Sequence, residues 1–161
     1  MMYDFQPDET ASPEERYRQL GLAASALIEG EDDAVANMAN IAALLWEFIP
    51  QMNWAGFYRV IDSELVLGPF VGRPACIRIP MGQGVCGTAA SSGQTQLVED
   101  VHAFPGHIAC DAVTRSEVVV PVIHDGRVIA VIDCDSPEPA RFDAADAAGL
   151  EALAILIAPR I

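Results

Sequence analysis

Positive charge is scarce in this sequence. Lys and Arg together number 9 against 23 Asp and Glu, so the 161-residue chain carries a formal charge of −14. A surface that acidic repels phosphate backbones and anionic lipid heads, so neither nucleic acid nor a membrane surface is an expected partner. Long apolar runs are missing as well: none reaches the roughly 18–20 residues needed to span a bilayer. The opening residues, MMYDFQPDET, show no basic start and no apolar stretch. No secretory signal is read there, and a cytoplasmic protein is expected. There is no C-x-x-C pair and no close Cys–His pair of the zinc-finger type, so no metal site is expected. Repeats, low-complexity stretches and interdomain linkers are absent too. Apolar residues are plentiful, 52% against 20% charged, which is the balance of a folded chain. One domain of this length buries roughly 70% of its extended surface and needs no metal or disulfide staple.

The order of elements follows from periodicity. Residues 1–11 have no period and read as a loose N-terminal arm. Ser12 and Glu15 have capping-box spacing, and Pro13 suits a first helical position. Tyr17, Leu20, Ala24, Leu27 and Ile28 then recur at helical spacing up to Gly30. Val35, Met38, Ala42, Leu45 and Phe48 form a second stripe, ended by Pro50. WAGFYRVI, ELVLGPF and ACIRIP read as three strands, VCGTAASSG as a short helix, and Gln96–Val98 as a short strand. Residues 99–115 have no clear period, the mark of a functional or disordered loop. EVVVPVI and RVIAVIDCD flank His124-Asp125-Gly126, a hairpin signal. Asp143 caps a last helix ending near Ile157. The fold class is α+β: an antiparallel sheet of about six strands with helices mainly on one face.

Three groups of residues carry candidate chemistry. The first is cysteine. Reduced thiols are expected in a cytoplasmic chain. Cys110 lies in the long loop beside His107, where access and a neighbouring imidazole favour reactivity, with Asp111 opposing. Cys86 opens a short helix, whose backbone N–H groups favour a thiolate. Cys76 falls on the third strand, with Arg78 on the same face. The second group is Glu117, Asp133 and Asp135. Asp133 and Asp135 share one strand face, Cys134 points to the other, and Glu117 starts the paired strand. Converging acids make a cation site, for a metal or an ammonium group. The lack of nearby histidines favours ammonium. The third group is Trp54 and Tyr58, four apart on a strand and so on one face, either core packing or an aromatic wall.

Taken together, NWAGFY, GPFVGRPACIRIPMGQGVCGTAA, VEDVHAFPGHIACDA, SEVVVPV and VIDCDSP closely resemble the free methionine-(R)-sulfoxide reductases, single-domain enzymes of the GAF fold. The resemblance spans roughly residues 15–157 and makes 12–161 one GAF-like catalytic domain. It implies that Cys110 is the catalytic cysteine, Cys76 the main resolving cysteine and Cys86 a third cysteine able to join disulfide exchange. It implies that Trp54 and Tyr58 box the methylsulfoxide end, and that Glu117, Asp133 and Asp135 hold the substrate. Cys134 departs from the pattern, where an aliphatic residue is expected. The implied activity is reduction of free L-methionine-(R)-sulfoxide through a sulfenic acid and a Cys110–Cys76 disulfide, recycled by a thioredoxin-type dithiol with no tightly bound cofactor. A homodimer is compatible with the fold. The competing expectations are a regulatory GAF module that binds a small ligand, and a thiol redox sensor.

Overall fold

Ser12 is extended and its hydroxyl accepts the backbone N–H of Glu15, so helix α1 (Pro13–Ile28) starts where the capping signal lies. The computed structural model describes residues 3–161; Met1 and Met2, the first two residues of the expected arm, lie outside them. Asp33 caps helix α2 (Ala34–Phe48) through the N–H of Ala36. Strands β1 (Trp54–Ile61), β2 (Glu64–Gly72) and β3 (Arg78–Pro80) follow, then helix α3 (Gly84–Ser92) and strand β4 (Gln96–Val98). A 3₁₀ turn at Val101–Ala103 opens the long loop, started by Asp100 accepting the His102 N–H at 3.0 Å. Strands β5 (Ser116–His124) and β6 (Arg127–Ser136) form the hairpin, and helix α4 (Ala144–Ile157) follows, ending in a 3₁₀ turn at Ala158–Arg160. Asp125 and Gly126 both take positive φ, +50° and +75°, which matches the twist a two-residue hairpin needs. Among the described residues, no helix is long and apolar enough to cross a membrane.

Among the described residues, six strands lie in the order β3-β2-β1-β6-β5-β4, all neighbours antiparallel. The side-chain period of two then sorts the residues. Ala55, Phe57, Val118, Val120, Ile132 and Cys134 face α1, α2 and α4 in one buried layer. Trp54, Tyr58, Val119 and Val131 face the other way, under α3. Helices therefore cover mainly one face, and the lightly covered face holds the cavity described below. The arm is partly docked: Phe5 packs against the helical core, and the Asp8 N–H donates to the Gln19 side chain.

One strand expectation needs correction. The third strand is only Arg78–Pro80, and Cys76 sits in the loop before it. Pro74 has no N–H to pair, and the Tyr58 hydroxyl donates to the Cys76 carbonyl at 2.9 Å. Pairing resumes at the Ile77 carbonyl, which accepts from Leu67. Arg78 does not act on the cysteine; it pairs with Glu64 at the exposed sheet edge.

Candidate active site

Register builds the floor of the cavity. Asp135 on β6 stands opposite Glu117 on β5 and opposite Trp54 on β1, so all three lie in one row across the sheet. Asp133 stands opposite Gly56, which leaves room above it. A Cβ at Gly56 would sit 2.4 Å from the Phe70 Cβ, so this position takes no side chain. Trp54 stacks on Tyr58 with centroids 5.9 Å apart and on Phe70 at 5.1 Å. Trp54 and Tyr58 form one wall, with Phe70 stacked on Trp54 outside the lining. Trp54 is pinned by its indole N–H, which donates to the Arg73 carbonyl.

Helix α3 supplies the roof. Its first turn brings Cys86 over the acids, with Sγ 3.3 Å from Asp133 Oδ2 and 3.8 Å from Glu117 Oε1. The long loop closes the mouth with His107, Ile108, Cys110, Asp111 and Thr114, facing Pro74 and Ala75. Cys110 is joined to Cys76 by a disulfide, with Cα atoms 5.5 Å apart. Cys86 and Cys134 are free thiols. Of the residues singled out in the sequence, Cys86, Cys110, Trp54, Tyr58, Glu117, Asp133 and Asp135 all line one cavity. Cys76 meets them through its bond to Cys110. Cys134 is held away in the helical core.

The electrostatics of the floor follow from burial. Glu117 and Asp133 are 6% and 5% exposed. Burial pushes the Glu117 and Asp135 carboxyls well above the usual carboxylate range, and mutual repulsion adds to it. Burial raises Asp133 to about 6, against hydrogen bonds from Glu117, Cys86 and Asp135 that pull it down. Asp133 Oδ1 and Asp135 Oδ1 are buried without a hydrogen-bond partner among the described residues. Such a cluster offers protons when alone and a cage of negative charge when a cation enters. The expected Cys86 thiolate is corrected here. Burial and the charges of Asp133 and Glu117 push that thiol well up, against the pull of the helix N-terminus. His107 is also shifted, downward, by burial and then by His102, so it stays neutral and gives Cys110 no cationic neighbour.

Two positioning residues escaped the sequence reading. Asn53 donates to Thr114 at 2.9 Å and to Asp111 at 3.3 Å, which ties the mouth loop to the start of β1. Its only signal was its place at the head of NWAGFY. Gly84 has φ +64°, and a Cβ there would come 3.2 Å from the Ile108 side chain, so the roof helix and the mouth loop pack closely only without one.

Residues 36–161 match the family described as GAF domain, and the fold agrees with it. The chain belongs to that family. It is 50% identical over 139 residues to the free methionine-R-sulfoxide reductase of Escherichia coli, covering 86% of this chain and 84% of the relative. It is 47% identical to the free methionine-R-sulfoxide reductase of Saccharomyces cerevisiae, over 89% and 84% of the two chains. The crystal structure of free methionine-R-sulfoxide reductase from Neisseria meningitidis, in complex with its substrate, is similar at a TM-score of 0.94 and 44% identity, covering 99% and 95% of the chains. Within the GAF domains, this chain is a member of the free methionine-R-sulfoxide reductases.

Proposed function

We propose that this oxidoreductase reduces free L-methionine-(R)-sulfoxide to L-methionine, with Cys110 as the attacking cysteine, Cys76 as its resolving partner and Cys86 as a third thiol in exchange. One observation carries the reading: the Cys76–Cys110 bond closes the mouth of a cavity floored by buried Glu117 and Asp133 and half-buried Asp135. The methyl sulfoxide would lie against Trp54 and Tyr58, and the α-ammonium group would enter the cage of Glu117, Asp133 and Asp135. The Cys110 thiolate attacks the electrophilic sulfur while one of the acids donates a proton to the sulfoxide oxygen. Methionine departs and the oxygen remains on Cys110 as a sulfenic acid. The Cys76 thiol attacks that sulfur, water leaves, and the disulfide forms. An external dithiol of the thioredoxin class then supplies two electrons and two protons, and no tightly bound cofactor is needed.

The acid cage also supports a preference for the free amino acid. A methionine sulfoxide inside a polypeptide has an amide in place of the ammonium and leaves buried carboxyls unpartnered. We assign catalysis to a single domain over residues 12–161, with residues 1–11 an arm outside the chemistry, and we place the enzyme in the cytoplasm. Leu22 and Leu156 leave an apolar strip exposed between α1 and α4, which supports a homodimer, and sedimentation reads that state.

The test is consumption of free L-methionine-(R)-sulfoxide by protein reduced with dithiothreitol, with the (S) epimer and a peptide-bound sulfoxide as controls. Selective loss of the free (R) form is expected. Cys110→Ser should abolish turnover. Cys76→Ser should keep the first turnover and slow recycling. Full activity in Cys110→Ser would remove that residue from the mechanism.

A further inference from the structure

Cys86 Sγ, a Glu117 oxygen and an Asp133 oxygen all lie within 4.8 Å of one another. Their separations have a meaning beyond the cage. Zinc bonds of about 2.3 Å to sulfur and about 2.0–2.2 Å to oxygen, at the tetrahedral angle, place sulfur and oxygen roughly 3.6 Å apart. The two sulfur–oxygen distances are 3.3 and 3.8 Å and bracket that edge. Two further buried oxygens, Asp133 Oδ1 and Asp135 Oδ1, have no partner and line the same cavity. The space open to water in it is about 40 Å³, which holds an ion with a water or two as it stands. A thiol among carboxylates selects a borderline-soft ion over magnesium or calcium, which take oxygen alone.

We infer that Cys86, Glu117 and Asp133 form a binding site for a divalent cation of the zinc class, with water or Asp135 in the fourth position. The ion replaces the thiol proton of Cys86 and fills the cage with positive charge. A metal there and an ammonium group cannot occupy the cage together. Zinc is therefore an inhibitor that competes with the amino-acid substrate. The competition rests on the proposed function; the binding site does not. The site also depends on redox state, because a Cys86 drawn into a disulfide leaves the metal without its sulfur ligand.

The binding test uses the form with Cys76 and Cys110 bonded, where Cys86 and Cys134 are the only thiols. Cadmium titration should give a one-equivalent ultraviolet sulfur-to-cadmium charge-transfer band. Cys134→Ser should keep it and Cys86→Ser should lose it, with zinc affinity at least ~10-fold weaker, the smallest loss that even outer-shell changes produce. X-ray absorption of the zinc-loaded wild-type protein needs no variant and should show one sulfur neighbour among oxygens. No band, a band lost with Cys134 instead, or a zinc shell without a single sulfur would overturn the site. Zinc should also raise the apparent KM for free methionine-(R)-sulfoxide in the reduced enzyme at unchanged kcat. Inhibition that substrate cannot relieve would overturn the competition. Metal binding at Cys86 in a protein that never turns over the sulfoxide would keep the site and reject the proposed function.

Discussion

Single residues divide the work of the cavity between sheet and loops. Asp135 lies at the centre of the row, opposite both Glu117 and Trp54, and one of its oxygens has no partner. Asp135→Asn keeps the shape and removes the charge. It should raise KM about 10–100-fold, the scale of a lost charged hydrogen bond, with a smaller change in kcat, read by steady-state kinetics. The same variant should melt higher than wild type at neutral pH without substrate, because one member of a repelling cluster is gone. These acids were legible in the sequence because the strand period puts residues two apart on one face. The thiolate at Cys86 was misread. Helix position is visible in a sequence, whereas the two carboxyls that meet the sulfur come from 31 and 47 residues away.

Elements hold these residues in place through close packing between α1 and α4. The Tyr17 ring lies on Gly149, where a Cβ would come 2.1 Å from the ring, and its hydroxyl donates to Asp146 at 2.7 Å. Asp146 also accepts from the Asp143 N–H and pairs with Arg141, so one carboxylate joins the helix cap to the helix contact. Gly149→Ala should cost about 1–3 kcal/mol, the range for overpacking a core, in a thermal melt. Gly21 on α1 has open space around it, and Gly21→Ala should add about 0.5–1 kcal/mol by helix propensity alone. Helices, hairpin and sheet were readable because caps, the Asp-Gly turn and apolar spacing are local signals. The end of β3 was not. Pairing there is broken by the Tyr58 hydroxyl and by the loop that carries Cys76, partners 18 residues apart. The tether of Asn53 to Thr114 was invisible for the same reason, across 61 residues.

The whole molecule feels the buried acids as a dependence of stability on pH. Folded-state carboxyls raised above their unfolded values bind protons that the unfolded chain has already released. The stability these three groups contribute is therefore full below the ordinary carboxylate range, near pH 4, and falls as pH rises through about 6, where Asp133 titrates, and beyond. Melting of the substrate-free protein should drop across that window. Bound substrate should offset the drop, since its ammonium group stabilises the ionised cage, so the melting shift it causes should grow with pH. A shift that shrinks with pH would show that the cage binds neutral groups. The β5–β6 hairpin sets all of this by alternation, with Asp133 and Asp135 on the cavity side and Cys134 in the helical core. A hairpin closed one residue out of step would drive both aspartates under the helices and lift the thiol into the cavity. That arrangement would put unpaired carboxyls in an apolar layer, at a cost of several kcal/mol each, and so disfavours the shifted register. The penalty thus favours the register that builds the cavity over its neighbours. The three consecutive side chains Asp133-Cys134-Asp135 act as a proofreading mark for the register of the strand that bears them.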